Sequence, residues 1–255
     1  MKTIILAGGF GTRLSEYTDT MPKPMVQIGN RPLLWHIMRR YALYGHKEFI
    51  VATGYKSDYI KSYFLENRLS NDDFSIDFQS GEITRFGRAE IDWVVTLVDT
   101  GLNTMTGGRI KKLKEWVGDK PFFLTYGDGV ADVDLDQLLE FHYRKKKLMT
   151  VTAVRPPARF GELVLDEGLV AQFNEKPQLA EGWINGGFFV VEPEFLELIS
   201  CESTMLEREP MEMAASKGEL AAYRHEGFWQ CMDTKRDYEL LTKLWKQNAA
   251  PWWDR

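Results

Sequence analysis

The apolar run KTIIL, residues 2–6, breaks off into AGGFGTRL, with glycines at 8, 9 and 11 and an arginine at 13. A short buried strand ending in a glycine-rich turn offers backbone N–H groups to an anion, and the helix beyond it can add its dipole. Two familiar phosphate-binding patterns can be laid on this stretch. The pattern G-x-G-x-x-G needs a third glycine where Leu14 stands, and G-x4-G-K-[ST] needs a Gly-Lys pair that is absent here. A glycine turn alone is weak evidence of function. Arg13 adds weight, because a guanidinium can fork onto phosphate oxygens and stabilise charge on a transferring or leaving group.

The residues after the turn set the fold class. Residues 31–45 carry apolar side chains at 33, 34, 37, 38 and 41, which predicts a helix closing at Gly45. Residues 48–54 (EFIVATG) predict a second buried strand and 56–67 a second helix. This order implies a parallel sheet with helices on both faces. Residues 68–92 are polar and irregular, with short strands possible at FSIDF and WVVTLVDT. Further on, 106–118 predicts a helix and 121–129 a strand ending at an acidic turn. Residues 134–147 predict a helix with Leu135, Leu138, Leu139 and His142 on one face.

The texture then changes to successive strands (LMTVTAV, GELVLD, LVAQFNEK, GWINGGFFVVEP), with helices at PEFLELI, MLEREPMEMAASKG and 233–247. No linker or repeat interrupts the chain, and 255 residues at 44% hydrophobic content can bury a core of one domain's size. The expectation is an α/β fold over 1–255: a Rossmann-like, mixed, mostly parallel sheet flanked by helices, forming one continuous sheet in a single domain.

Charge and composition narrow the function classes. A net charge of −5 excludes a general nucleic-acid binder. No window is long enough for a membrane span, and the first apolar run is too short for a signal peptide, so a cytoplasmic protein is expected. Cys201 and Cys231 do not make a disulfide framework and are expected to be buried or idle. The four histidines lack zinc spacing, and His36 and His142 fall within helical patterns as packing or surface residues.

Five further stretches suit phosphate and sugar chemistry. In MPKPM, Lys23 lies between Pro22 and Pro24, which predicts an ammonium held on a stiff extended segment. In TYGDGV, Asp128 lies just past the carboxyl end of a predicted strand, where open α/β sheets bind ligands. NEKP (174–177) and NGGFFV (185–190) place polar groups at strand ends. Asp233 in FWQCMDT is a candidate helix N-cap, or a second carboxylate completing an Mg²⁺ site with Asp128. Taken singly, a surface turn for Lys23, an Asp-Gly hairpin turn for Asp128 and a cap for Asp233 are the plainer readings.

Taken together, ILAGGFGTRL, PKPM, YGDG, EKP and NGGFFV match the order and spacing of the sugar-1-phosphate nucleotidyltransferases, and the chain resembles that family over nearly its whole length. LLWHIMRRYALYG, TMTGGRIKKL, TYGDGVADVDL and GFWQCMDT are most similar to its cytidylyl branch. The resemblance implies a nucleotide-binding half at about 1–130 and a sugar-binding and C-terminal helical part at about 131–255. It implies that Leu6, Ala7, Gly8, Gly9, Phe10 and Gly11 wrap the nucleotide, that Thr12 and Arg13 contact the triphosphate and that Lys23 grips phosphate near the reacting phosphorus. Thr104 and Arg109 would help bind the cytidine nucleotide, with Gly127 against the nucleoside. Lys176 would take the sugar phosphate, with Glu175 and Asn185 near sugar hydroxyls. Asp128 and Asp233 match the family's Mg²⁺ ligands, leaving Arg13, Lys23 and Asp128 as the catalytic set. The implied partners are CTP and glucose 1-phosphate, with no nucleic acid or membrane, in a homo-oligomer. UTP or dTTP in place of CTP, or a non-catalytic sugar-nucleotide-binding protein, are the alternatives. A nicotinamide oxidoreductase is disfavoured by the missing third glycine.

Overall fold

The computed structural model describes residues 1–70, 73–86, 91–156, 162–166, 169–174 and 182–254; the side chains of Arg13, Ser15, 67–70, Arg85, 162–166 and 169–174 fall outside the description. The expected mixed, mostly parallel α/β sheet is present. Its strands are β1 (Lys2–Leu6), β2 (Glu48–Thr53), β3 (Val94–Asp99), β4 (Phe122–Tyr126), β5 (Met149–Val154), β6 (Ile184–Asn185), β7 (Phe189–Val191) and β8 (Leu220–His225). β3, β2, β1 and β4 lie side by side and run parallel. β7 joins β4 antiparallel, β5 pairs antiparallel with both β6 and β7, and β8 runs parallel to β5.

Period-two alternation builds a core on each face of this sheet. Ile5, Phe49, Val51, Phe123 and Val190 pack on one side with α1 (Leu33–Leu43). Ile4, Leu6, Ile50, Ala52, Leu124 and Phe189 pack on the other with α2 (Thr106–Lys112) and the 3₁₀ helix Pro193–Leu198. Strands buried on both faces read as continuous apolar runs, which is why β1, β2 and β4 are legible in the sequence.

Several local expectations differ from the structure. WVVTLVDT is a full strand, β3, rather than a marginal one; it lies at the sheet's edge, where only part of each side chain is covered and alternation is weak. The segment 106–118 is two short helices, α2 and Lys114–Val117, meeting at Leu113. PEFLELI forms a 3₁₀ helix. The GWINGGFFVVEP strand is broken into β6 and β7, because Gly187 and Phe188 both take positive φ and step the chain out of register. Within GELVLD and LVAQFNEK, Glu162–Asp166 and Leu169–Asn174 pair as a separate two-stranded sheet rather than as part of one continuous sheet.

The C-terminal tail folds back. Trp252 is buried, stacks on Phe228 and donates its indole N–H to His36 Nδ1 at 3.2 Å. His36 Nε2 in turn bonds Ile28 O at 2.9 Å, which fixes the neutral tautomer with its proton on Nε2. Burial lowers the His36 pKa from 6.5 to about 4. A group that takes up its proton more readily when unfolded makes stability fall as pH falls. The loss starts below the unfolded value of 6.5 and is complete below about 4. Urea unfolding at several pH values should show a drop of roughly 3 kcal/mol over that window from this residue, and a His36→Gln variant should remove that share and leave the one from His46, whose pKa burial also lowers to about 4. The cysteines also diverge. Cys231 is half-buried, whereas Cys201 is exposed and is drawn down to about 7 by the hydroxyls of Ser203 and Thr204.

Candidate active site

The loops that leave β1, β2 and β4 emerge at one end of the sheet, because these three strands are parallel and in register. After β1, Ala7 N–H bonds Ala52 O and Gly8 O accepts from Tyr55 N–H, so the glycine turn is tied to the exit of β2. Gly9 and Phe10 are exposed. Gly11 takes a φ of +65°, and a Cβ there would lie 2.9 Å from Thr18 Cγ2 and 3.1 Å from Lys23 Cβ. Only glycine suits both the backbone conformation and the close approach of the Lys23 segment. A one-turn 3₁₀ helix, Thr12–Leu14, comes next. Arg13 lies within it, and its side chain is outside the described set.

The Lys23 segment differs from the extended form expected. Pro22 is extended, but Lys23–Met25 is a 3₁₀ turn, with Pro24 supplying a suitable φ. The turn buries Lys23 and aims its ammonium inward. Its Nζ donates to Asp128 Oδ2 at 2.8 Å and also to Asp233 Oδ1. Burial works to lower the Lys23 pKa, but the two carboxylates outweigh it and the net shift is upward. The lysine is a fixed cation.

Asp128 and Asp233, 105 residues apart in sequence, are brought together by a two-stranded ribbon outside the main sheet. Gly129–Ala131 pairs antiparallel with Trp229–Cys231, matching Gly129 to Cys231, and Met232 N–H bonds Asp128 O at 2.8 Å. One carboxylate enters the ribbon and the other leaves it on the same end. Asp128 therefore turns no local hairpin. Asp233 is not the helix cap: Thr234 is, in a capping box with Asp237 at the start of α3 (Lys235–Lys246). Asp237 Oδ2 accepts the Asp233 N–H at 3.0 Å, which orients that backbone and leaves the Asp233 carboxylate to Lys23. Cys231 lies beside the cluster, and burial together with the charges of Asp233 and Asp128 pushes its thiol up to about 12, so it stays protonated.

Gly127 packs where a Cβ would lie 2.7 Å from Leu6 O and 3.1 Å from Pro24 Cγ, so the acidic turn, the glycine loop and the lysine turn converge. Arg109 is buried beneath the glycine loop. Its Nη1 donates to Thr100 Oγ1, Gly101 O and Thr53 O, and its Nη2 to Gly8 O and Leu102 O. Thr104 is buried as well, with its hydroxyl on Thr100 O at 2.6 Å. In this structure both residues brace the loops that frame the site. Asn185, at the end of β6, is exposed. Glu175 and Lys176 lie outside the described residues.

Two residues not singled out from the sequence join this constellation. Tyr126, the last residue of β4, donates to Glu207 Oε1 at 2.8 Å and accepts from Asn185 Nδ2 at 3.1 Å. Tyr126 could have been suspected from its place in TYGDG, but Glu207 reads only as one charge in the helical run MLEREP.

Among the described residues no three His, Cys, Asp or Glu side chains form a metal cage. The donor set nevertheless fits a hard divalent ion. Two carboxylates from separate elements converge on one cation, the Lys23 ammonium, and an ion such as Mg²⁺ needs only one or two carboxylates when phosphate and water complete its shell. No helix among the described residues is long and apolar enough to cross a membrane.

Residues 2–240 match the model of the family described as "Nucleotidyl transferase". The chain is 48% identical to "Glucose-1-phosphate cytidylyltransferase" of Salmonella typhi over 253 residues, covering 99% of this chain and 98% of that one. It is 42% identical to "Probable glucose-1-phosphate cytidylyltransferase" of Bacillus subtilis, covering 99% of each. In fold it resembles HddC from Yersinia pseudotuberculosis, with a TM-score of 0.71 at 22% identity, covering 96% of this chain and 99% of that one. The chain belongs to the nucleotidyl transferase family.

Proposed function

We propose that this protein transfers a cytidylyl group from CTP to α-D-glucose 1-phosphate, giving CDP-glucose and pyrophosphate, as a glucose-1-phosphate cytidylyltransferase. The observation that carries the reading is the pair of ribbon carboxylates, Asp128 and Asp233, closed over Lys23 beside a glycine loop. The near full-length identity to cytidylyltransferases supports CTP and glucose 1-phosphate as the substrates.

The nucleophile is a phosphate oxygen of the sugar phosphate, already anionic at neutral pH. It attacks the α-phosphorus in line, forming the new P–O bond as the bond to the β-phosphate oxygen breaks. No side chain needs to become a covalent carrier, so catalysis is positioning and charge neutralisation. Enzymes of this family generally work with a divalent ion, and Mg²⁺ is our assignment, held by Asp128 and Asp233; when bound it neutralises phosphate charge and orients the reacting groups. Lys23 holds a positive charge at the α-phosphate. Arg13 steadies the leaving pyrophosphate. The backbone of Leu6 to Gly11 and Thr12 receives the nucleotide, and Gly127 lets the acidic turn approach it. Arg109 and Thr104 keep the surrounding loops in place and line the nucleotide side, and Glu175, Lys176 and Asn185 take the sugar phosphate.

We read residues 1–255 as one cytoplasmic domain that assembles as a homo-oligomer. The exposed apolar side chains of the hairpin at 73–86, Phe78 and Phe86 among them, support the last point.

Turnover with CTP, UTP, GTP, ATP and dTTP, each with glucose 1-phosphate and with or without Mg²⁺, tests the reading by pyrophosphate release. CTP with Mg²⁺ should give the highest kcat/KM by at least about tenfold. Equal use of UTP or dTTP would replace the cytidylyl assignment, and no turnover with any nucleotide would favour a binding protein.

A further inference from the structure

Asn185 has its side-chain amide fixed in one orientation. Its Oδ1 accepts the Gly187 N–H at 2.9 Å, which places Nδ2 against the Tyr126 hydroxyl at 3.1 Å. Nδ2 can only donate, so the Tyr126 oxygen must accept and its proton must point elsewhere. It points to Glu207 Oε1, at 2.8 Å. The other carboxylate oxygen, Oε2, accepts from Thr106 Oγ1 at 2.7 Å, and Thr106 Oγ1 accepts the Leu206 N–H at 2.9 Å. The order of protons is therefore set from the backbone of Leu206 to the amide of Asn185. A carboxylate is the only common side chain of this size that can accept from both hydroxyls and donate to neither.

The network opens on the candidate site. Tyr126 is two residues before Asp128. The Asn185–Gly187 segment is also held from the other side, because Trp229 Nε1 donates to Gly186 O at 2.7 Å from the ribbon that carries Asp233. Asn185 itself is exposed, and among the described residues its second N–H and second Oδ1 lone pair have no protein partner. A neutral donor–acceptor pair of fixed orientation suits a hydroxyl, which donates and accepts; the phosphate charges have Lys23 nearby.

We propose that Tyr126 and Glu207 are positioning residues for the sugar phosphate, ordering the Asn185 amide so that it reads one hydroxyl of the sugar. This rests on the cytidylyl transfer to glucose 1-phosphate proposed above. Glu207→Gln keeps the shape but sets an amide N–H against the Tyr126 hydroxyl, which takes away the acceptor for that hydroxyl's proton and loosens its hold on the Asn185 amide. Tyr126→Phe removes the link outright.

Calorimetric titration tests this on the full chain saturated with a non-hydrolysable CTP analogue and Mg²⁺. The ligands are glucose 1-phosphate and its singly deoxygenated analogues. The unaltered protein should bind glucose 1-phosphate and reject one deoxy analogue strongly. Both variants should bind glucose 1-phosphate about 5- to 100-fold more weakly and lose most of that discrimination, with the affinity for the CTP analogue within about twofold of the original. A merely structural role would instead weaken both ligands together and lower the melting temperature. That result, or unchanged sugar-phosphate affinity in both variants, overturns the relay alone. Absence of glucose 1-phosphate binding by the unaltered protein overturns the proposed function, and the relay with it.

Discussion

Asp233→Asn should lower kcat by about three orders of magnitude at saturating CTP, glucose 1-phosphate and Mg²⁺, with the fold intact. The substitution keeps the volume and removes one charge. It touches little else, because the α3 cap is made by Thr234 and Asp237 rather than by Asp233. In the original site one ammonium faces two carboxylates; in the variant Lys23 keeps Asp128 and loses half of its compensation. The same charge is half of the pair assigned to the divalent ion. Binding of Mn²⁺ measured by electron paramagnetic resonance should weaken at least about tenfold, which reads the ion site without turnover. The melting temperature should move by only a few degrees. Normal Mn²⁺ binding with a normal kcat would remove Asp233 from the site; a large fall in melting temperature would make it a structural residue.

Lys23, Asp128 and Asp233 are each readable in the sequence as candidates, because a lysine between prolines and an aspartate between glycines or ahead of a helix are local patterns. Their union is not local. It is made by the ribbon pairing Gly129–Ala131 with Trp229–Cys231, two three-residue strands about a hundred residues apart, too short to leave a periodic signal. The buried parallel strands β1, β2 and β4 are legible, since both of their faces are covered and the apolar run is unbroken. β3 is obscured by its place at the sheet edge, and the split between β6 and β7 by the positive φ at Phe188, a residue type that seldom marks such a position. Arg109 shows the limit most clearly. In sequence it is a basic residue on a helix opened by glycines, and only the resemblance attaches it to the cytidine nucleotide; in the fold its guanidinium also holds four backbone carbonyls and a hydroxyl beneath the loop it supports. That bracing depends on burial, and burial belongs to the tertiary structure.

Arg13→Ala should lower kcat by roughly two to four orders of magnitude and raise KM for CTP far less. The glycine loop is braced independently of this side chain: Gly8 O is held by Arg109 and by the Tyr55 N–H, and Gly11 O by the Leu14 N–H and the Thr18 hydroxyl. Those bonds persist in the variant, so the cradle for the nucleotide persists and ground-state binding changes little. The variant lacks a cation at the end of the loop where charge develops as pyrophosphate departs. Interactions that strengthen only in the transition state show themselves in kcat. Arg13→Lys separates two contributions. It keeps the charge and gives up the forked geometry, and it should recover part of the rate, about tenfold or more over alanine. A substrate with a better leaving group than pyrophosphate, such as a bisphosphonate-bridged analogue with electron-withdrawing substituents, should narrow the gap between Arg13→Ala and the original enzyme. If Arg13 served only to hold the ground-state triphosphate, KM would rise, kcat would stand, and the leaving group would make no difference.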